Sequence, residues 1–166
     1  MTNLYVDKIK AFLIDCDGTL TDGVYEYHDD GHVSKRFHTR DMYALDRLET
    51  LGYRVFIVTG CKDRATKHRM ATSKKEIIDT GDRKLPVVES LLEREGWTWE
   101  NVAFIGDAEI DLECMERASF AACPCDAITE IRDMSHYVSI KDGGRGAVHD
   151  IVRYFCVLTK QDWVGQ

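Results

Sequence analysis

Short apolar segments alternate with amphipathic helical patterns along almost the whole chain. The apolar segments, which predict strands, lie at residues 9–15, 54–58, 76–79, 102–105, 120–122 and 137–140. The helical patterns lie at residues 40–51, 62–72, 86–96, 111–117 and 148–158. Parallel strands need a long crossover connection, usually a helix, between one strand and the next. The alternation therefore predicts an α/β fold, a Rossmann-like three-layer sandwich with a mostly parallel central sheet.

One segment interrupts this alternation. Residues 24–28 and 33–37 are short extended patterns on either side of the turn sequence Asp29-Asp30-Gly31, and together they predict a projecting β-hairpin. The hairpin carries apolar side chains that predict a contact surface for oligomer formation. These side chains are Val24, Tyr25 and Tyr27. An edge hairpin that packs on its own core is the alternative interpretation.

The composition is typical of a globular protein without affinity for polyanions. The chain has 166 residues, of which 44% are hydrophobic and 31% are charged, so we expect one domain spanning residues 1–166. The net charge of −7 gives the surface no general attraction for nucleic acid or an anionic membrane. No apolar stretch is long enough to cross a bilayer, and residues 1–5 do not begin a signal peptide, so we expect a cytoplasmic location.

Two acidic residues end the first predicted strand. Asp15 and Asp17 stand two positions apart and are followed by Gly18, which permits a tight turn. Carboxylates this close repel each other, and burial of either is unfavourable unless a positive charge lies between them. Mg²⁺ prefers oxygen ligands, so the pair predicts a magnesium site. An ordinary surface turn is the alternative for this segment taken alone.

Polar residues also follow the other predicted strands. Thr59 and Gly60 end the second segment, Lys84 follows the third, and Asp107 and Asp111 follow the fourth. In a parallel sheet, ligands bind beyond the carboxyl ends of the strands. We therefore expect these groups, together with the first acidic pair, to meet at one edge of the sheet.

Acids, a lysine and a hydroxyl gathered in this way suit phosphoryl transfer. The acids would bind Mg²⁺, and the lysine and hydroxyl would bind phosphate. One carboxylate could attack phosphorus to form an aspartyl-phosphate, and another could protonate the leaving oxygen and then activate water. Taken singly, each residue also has a structural interpretation. Lys84 could be solvated at a helix start, Asp111 could cap a helix, and Thr59 could be a strand-end hydroxyl.

Four segments, in chain order, resemble the four motifs of the haloacid dehalogenase (HAD) superfamily of phosphatases. They are Asp15-Cys16-Asp17-Gly18-Thr19, Thr59-Gly60, Lys84 and Gly106-Asp107-Ala108-Glu109-Ile110-Asp111. The resemblance implies that Asp15 is the nucleophile and that Asp17 is the general acid and base. It also implies that Thr59 and the Gly60 amide bind the phosphoryl group, and that Lys84 neutralises its charge and orients the nucleophile.

The same resemblance implies how the cofactor Mg²⁺ is held. Asp15, Asp107 and the backbone carbonyl of Asp17 would be ligands, whereas Asp111 would hold the ligands in place without binding the ion directly. Only about forty residues separate Asp17 from Thr59, and about twenty-five separate Thr59 from Lys84, which leaves no room for a cap domain of ordinary size. The chain therefore resembles the capless branch of the superfamily.

Within that branch the chain is similar to the 3-deoxy-D-manno-octulosonate 8-phosphate (KDO 8-phosphate) phosphatases. The similar segments are Thr21-Asp22-Gly23, Phe37-His38-Thr39-Arg40-Asp41 and Gly143-Gly144-Arg145-Gly146-Ala147-Val148. The similarity implies a small-molecule substrate, a phosphorylated 2-keto-3-deoxy sugar acid, and a homotetramer. It implies that Arg145 binds the substrate carboxylate or phosphate in a neighbouring subunit's site, and that Arg40 is another anion contact.

Several alternatives remain open at this point. Arg145 could belong to a flexible surface loop, and Arg40 could be solvated. Cys61 stands where the branch often has arginine, and its position beside a lysine at a strand end is compatible with a reactive thiol. Nonulosonate 9-phosphates are alternative substrates. The non-enzymatic alternative is an oligomerisation domain of the same fold, although this chain retains all the catalytic residue types.

Overall fold

The computed structural model of the protein describes residues 5–60 and 63–163. In chain order its strands are β1 (Ala11–Ile14), β2 (Glu26–Tyr27), β3 (Val33–Ser34), β4 (Arg54–Thr59), β5 (Glu76–Asp79), β6 (Val102–Ile105), β7 (Phe120–Cys123) and β8 (Tyr137–Val138). Its α-helices are α1 (Thr39–Thr50), α2 (Arg64–Thr72), α3 (Lys84–Glu95), α4 (Leu112–Met115), α5 (Thr129–Met134) and α6 (Ala147–Leu158). Short 3₁₀ turns occupy Val6–Lys8, Trp99–Asn101 and Glu109–Asp111.

Six of the described strands form one parallel sheet in the order β5-β4-β1-β6-β7-β8. Strand β1 lies inside the sheet, and its last residue, Ile14, pairs with Ile57 of β4 and Ile105 of β6. The carboxyl ends of β1 and β6 are therefore level with each other, and β4 continues two residues further, to Thr59. The segments that follow them begin side by side at one edge of the sheet.

The sheet is buried on both faces. Phe12 and Ile14 of β1 pack with α1 and α6, and Phe12 meets Phe155 edge to face with ring centroids 4.9 Å apart. Ala11 and Leu13 point to the opposite face and pack with α3, α4 and α5. Strands covered on both sides read as continuous apolar runs, which is why the first strand was recognisable in the sequence. The predicted α/β three-layer sandwich is confirmed.

The hairpin is also confirmed, with β2 and β3 paired antiparallel outside the main sheet. Between Asp17 and the start of β4 the chain forms only this hairpin and α1, and the described residues between Thr59 and Lys84 form only α2 and β5. In the part of the chain that the structure describes, no cap domain covers the sheet edge, as predicted.

Helices α3, α5 and α2 differ from the predictions. Helix α3 begins at Lys84, two residues before Pro86, because the first turn of a helix tolerates proline where amides lack helical partners. Helix α5 was not predicted, since only Ile131 in its six residues is buried and leaves no apolar periodicity. Helix α2 begins at Arg64 behind the N-cap Asp63. The predicted start at Lys62, and Cys61 with it, lie outside the described residues.

Among residues 5–60 and 63–163, no helix combines the length and apolar character needed to cross a bilayer. The cytoplasmic location stays a prediction. The assignment of residues 1–166 to one domain also stays a prediction.

Candidate active site

The ends of β1, β4 and β6 bring the predicted catalytic residues to one cleft. Asp15 continues β1 by donating its amide to the Ile105 carbonyl at 2.8 Å, and it is 5% exposed. Thr59, the last residue of β4, is 3% exposed. Lys84 enters from the start of α3, and its ammonium contacts Asp15 Oδ1 and lies 2.7 Å from Asp111 Oδ1. The predicted meeting of these side chains at one edge is therefore found.

Asp15, Asp107 and Asp111 form an acidic cluster in which the three carboxylates offer oxygens within 4.8 Å of one another. Lys84, whose side chain is fully buried, donates to two of them. If all three acids are ionised, one ammonium leaves a net charge of −2. Hard divalent cations prefer such oxygen ligands, so the donor set fits Mg²⁺.

Asp111 supports the bend that carries Asp107. Its Oδ2 accepts the amides of Asp107 at 3.1 Å and Ala108 at 3.2 Å, while its other oxygen accepts Lys84. Asp107 Oδ1 in turn accepts the Thr19 hydroxyl at 2.8 Å. These contacts suit the role implied for Asp111, and they add Thr19 as a residue that orients Asp107. Thr19 stands inside the first motif, but sequence reasoning gave it no role.

Gly18 permits the close approach of the first and fourth motifs. Its φ of +93° lies in the left-handed region, and a Cβ there would stand 2.1 Å from Asp107 Oδ2. Any other residue would therefore displace the Asp107 carboxylate.

Burial shifts the proton affinity of this cluster. It raises the pKa of Asp15 well above its ordinary value, although the Lys84 charge opposes the shift. Burial also raises the pKa of Asp107 to about 6, with a further contribution from the Asp111 charge. Burial alone would lower the pKa of Lys84, but the carboxylates of Asp15 and Asp111 outweigh it and raise that pKa.

Neutralising Asp107 is expected to change how the stability of the metal-free protein depends on pH. Between about pH 4 and the folded-state pKa of about 6, the folded chain keeps a proton on Asp107 that the unfolded chain has lost. The stability contribution of this carboxyl therefore falls as pH rises through that window. We expect the free energy of unfolding of Asp107→Asn, relative to the wild type, to increase from pH 4 to pH 7 in denaturant titrations with EDTA.

Asp30→Asn is the matched control for that titration. Hydrogen bonds from the His32 amide and ring lower the pKa of the exposed Asp30 carboxyl. The stability contribution of Asp30 is present above its unfolded-state pKa of about 4 and is lost only at lower pH, so the stability of Asp30→Asn relative to the wild type is expected to change little from pH 4 to pH 7. A pH-independent difference between Asp107→Asn and the wild type would contradict the assignment.

Asp17 faces the cleft but is not held by the acidic cluster. Its Oδ1 accepts the Lys35 ammonium at 2.6 Å and the Thr21 hydroxyl at 3.4 Å. Sequence reasoning missed Lys35, because nothing in the local pattern distinguishes it from its neighbour Arg36. The structure separates the two, since the Lys35 side chain is 0% exposed and that of Arg36 is 65% exposed.

The cleft above these residues has a volume of about 400 Å³. Its lining residues are Asp15, Asp17, Tyr25, Thr59, Gly60, Gly81, Asp82, Ala108 and Ile110. A cavity of this size accommodates a small-molecule ligand. A larger depression of about 680 Å³ lies between the hairpin tip and the start of α2, but none of the predicted site residues lines it. The smaller cleft is therefore the candidate active site.

The two predicted arginine contacts lie elsewhere in this chain. Arg145 lies 3.2 Å from Asp22 Oδ2, which also accepts Arg36 at 2.7 Å. Its loop packs on the first motif, where a Cβ on Gly143 would stand 1.8 Å from the Gly18 carbonyl oxygen. Arg40 is exposed in the first turn of α1. Neither arginine is among the described residues that line the cleft, and their substrate contacts stay predictions.

Residues 61–151, more than half of the chain, match the sequence model of the haloacid dehalogenase-like hydrolases. The chain belongs to this family. A HAD relative from Escherichia coli (strain K12), the 3-deoxy-D-manno-octulosonate 8-phosphate phosphatase KdsC, is 33% identical over 146 residues. That alignment covers 87% of this chain and 78% of the relative.

Solved HAD structures agree with this assignment. The 3-deoxy-D-manno-octulosonate 8-phosphate phosphatase from Yersinia pestis superposes with a TM-score of 0.88 at 28% identity, covering 95% of this chain and 85% of that one. The corresponding enzyme from Moraxella catarrhalis, solved with magnesium, phosphate and KDO, gives a TM-score of 0.87 at 29% identity, covering 92% and 88%. Together with the family match, these similarities identify this HAD protein as a phosphatase, a hydrolase of phosphoric monoesters.

Proposed function

We propose that this HAD phosphatase hydrolyses KDO 8-phosphate with Mg²⁺ as cofactor and through an aspartyl-phosphate on Asp15. The observation that carries the proposal is the convergence of Asp15, Lys84 and Asp107 beside one cleft at level strand ends. Similarity to the Escherichia coli and Moraxella catarrhalis enzymes supports the choice of substrate class. The intact acidic cluster argues against a purely oligomerising role.

In the first half-reaction the Asp15 carboxylate attacks phosphorus, and the bond between phosphorus and the sugar oxygen breaks. Asp17 donates a proton to that oxygen, so the sugar leaves as an alcohol. Lys84 holds the attacking carboxylate, while the Thr59 hydroxyl and the Gly60 amide bind the phosphoryl oxygens. Mg²⁺ held by Asp15, Asp107 and the Asp17 carbonyl would supply positive charge that stabilises the transferring group.

In the second half-reaction Asp17, now ionised, takes a proton from water. The water oxygen attacks phosphorus, the bond to the Asp15 carboxylate breaks, and inorganic phosphate forms. Asp15 is thereby regenerated as a carboxylate and Asp17 as an acid. Both residues line the same cleft, which lets one side chain serve each proton transfer.

We further propose that the enzyme works as a homotetramer, with Arg145 binding a substrate anion in a neighbouring subunit's site and Arg40 as another anion contact. Exposed apolar side chains on the hairpin support such a contact, since Tyr27 is 79% exposed and Val24 is 54% exposed. Association through this surface would bring another subunit beside the open cleft.

A phosphate-release screen tests the proposed function. We expect the metal-free enzyme, prepared with EDTA, to be inactive and Mg²⁺ to restore turnover by more than about 100-fold, because the acidic cluster lacks compensating charge. Among sugar-acid phosphates, kcat/KM is expected to be highest for KDO 8-phosphate and lower for nonulosonate 9-phosphates. A higher kcat/KM for the nonulosonate 9-phosphates would make them the substrates, and absence of turnover on every sugar-acid phosphate would reject the proposed substrate class.

A further inference from the structure

The Lys35 ammonium is enclosed between the hairpin, the first motif and the start of α2. Its Nζ lies 2.6 Å from Asp17 Oδ1, 2.8 Å from Asp63 Oδ2 and 3.2 Å from the Thr66 hydroxyl. The same atom lies 4.4 Å from the centre of the Tyr25 ring, over its face. The side chain is 0% exposed. This is a buried charge whose described partners come from three different parts of the chain.

The contacts of Lys35 fix one oxygen of the Asp17 carboxylate. An ammonium has three donors, and each of these three oxygens can accept one of them. Within the described part of the chain, both hydrogen bonds that the Asp17 carboxylate accepts reach Oδ1. The carboxyl plane is thereby set, and Oδ2 is the oxygen available for proton exchange.

Asp63 anchors the far side of the same ammonium. Its Oδ1 caps α2 by accepting the Thr66 amide at 2.8 Å, so its Oδ2 is held in place for Lys35. Lys35 therefore cannot follow a rotation of Asp17 without losing the Asp63 contact. The helix start and the hairpin together determine where the Asp17 side chain stands.

We propose that Lys35 is a positioning residue for Asp17, and that the hairpin thereby belongs to the catalytic apparatus. This inference rests on the phosphatase function proposed above. It predicts an effect on proton transfer to the leaving group rather than on substrate binding. If Lys35 had only a structural role, its substitution would lower stability and would not affect leaving-group protonation more than substrate binding.

Lys75 offers a matched control. Its side chain is 2% exposed, and its Nζ lies 2.6 Å from both Asp46 Oδ1 and Glu49 Oε2 on α1. It is a second buried ammonium between two carboxylates, but it does not line the cleft. Lys75→Met therefore removes the same kind of ion pair without touching Asp17.

The test compares kcat/KM for KDO 8-phosphate and p-nitrophenyl phosphate in the full-length enzyme. Nitrophenolate departs without a proton, whereas the sugar alcohol needs one. For Lys35→Met we expect kcat/KM to fall about 100-fold with the sugar phosphate and by less than about threefold with the aryl phosphate. The KM for KDO 8-phosphate is expected to stay within about threefold, and Lys75→Met is expected to leave both kcat/KM values within about twofold.

Two further variants protect the test against misfolding and indirect effects. Asp63→Asn retains a capping side chain but weakens the Lys35 anchor, so the same substrate-selective loss is expected at about tenfold. In an Asp17→Asn background, adding Lys35→Met is expected to change kcat/KM by less than about twofold, because Lys35 acts through Asp17.

Equal losses on both substrates, or additive losses in the double variant, would overturn the inference while leaving the phosphatase intact. A wild-type enzyme inactive on both esters would overturn the proposed function and this inference with it.

Discussion

Asp15→Asn is expected to abolish phosphate-ester hydrolysis, with a fall in kcat of at least about 10⁴-fold, because an amide cannot form the aspartyl-phosphate. The same change is expected to preserve or increase stability. Burial already raises the pKa of Asp15, so a neutral side chain removes an unfavourable charge from the cluster with Asp107 and Asp111. Loss of activity with a gain in stability is typical of a residue kept for chemistry.

Phosphate release and thermal unfolding, measured in parallel with and without Mg²⁺, would check both parts of this prediction. Acid-quenched wild-type enzyme should carry phosphate on Asp15 by mass spectrometry, and the variant should not. Glu116→Gln neutralises an exposed acid just after α4 and is the control for a general charge effect. Turnover of Asp15→Asn above about 1% of wild type would reject Asp15 as the nucleophile.

Lys84→Met is expected to lower kcat about 1,000-fold and to destabilise the metal-free protein by about 3–5 kcal/mol. The fully buried ammonium contacts Asp15 and Asp111, so its removal leaves adjacent buried carboxylates without compensation. A cation that binds only the folded chain stabilises it by mass action. Mg²⁺ is therefore expected to raise the melting temperature of Lys84→Met more than that of the wild type.

Thermal unfolding over a Mg²⁺ titration, together with phosphate release, measures these effects. Lys75→Met should lose stability without losing activity and without a larger response to Mg²⁺, since its partners Asp46 and Glu49 lie outside the acidic cluster. Lys84→Met activity within tenfold of wild type, or equal Mg²⁺ responses in all three proteins, would contradict the assignment.

The sheet and the acidic cluster were predictable because each leaves a local trace in the sequence. Strand β1 is buried on both faces, so its four residues are apolar without interruption. The acids that follow β1 and β6 are abrupt changes from apolar to charged residues. Parallel topology then places such changes at one edge, which is why Asp15, Lys84, Asp107 and Asp111 could be grouped before any distance was known.

Lys35 and helix α5 could not be predicted from local sequence patterns. Lys35 gains its partners from Asp63 and Thr66, about thirty residues further along the chain, and no local pattern encodes that contact. Helix α5 buries only Ile131, so its position depends on packing rather than on periodicity. The contact between Arg145 and Asp22 likewise depends on how the glycine-rich loop folds back on the first motif.

The alignment of Ile14 with Ile57 and Ile105 has a consequence for rate. These residues share one rung of the hydrogen-bond ladder, and the next rungs carry the attacking and phosphate-binding groups. A slip of one residue between neighbouring strands would displace those groups by about 3.3 Å, whereas misplacement by about 1 Å already slows an aligned reaction about 100-fold. Substitutions at these three isoleucines should therefore lower the rate of turnover before they unfold the protein. The packing of three aliphatic side chains thus sets how accurately the reacting groups are aligned.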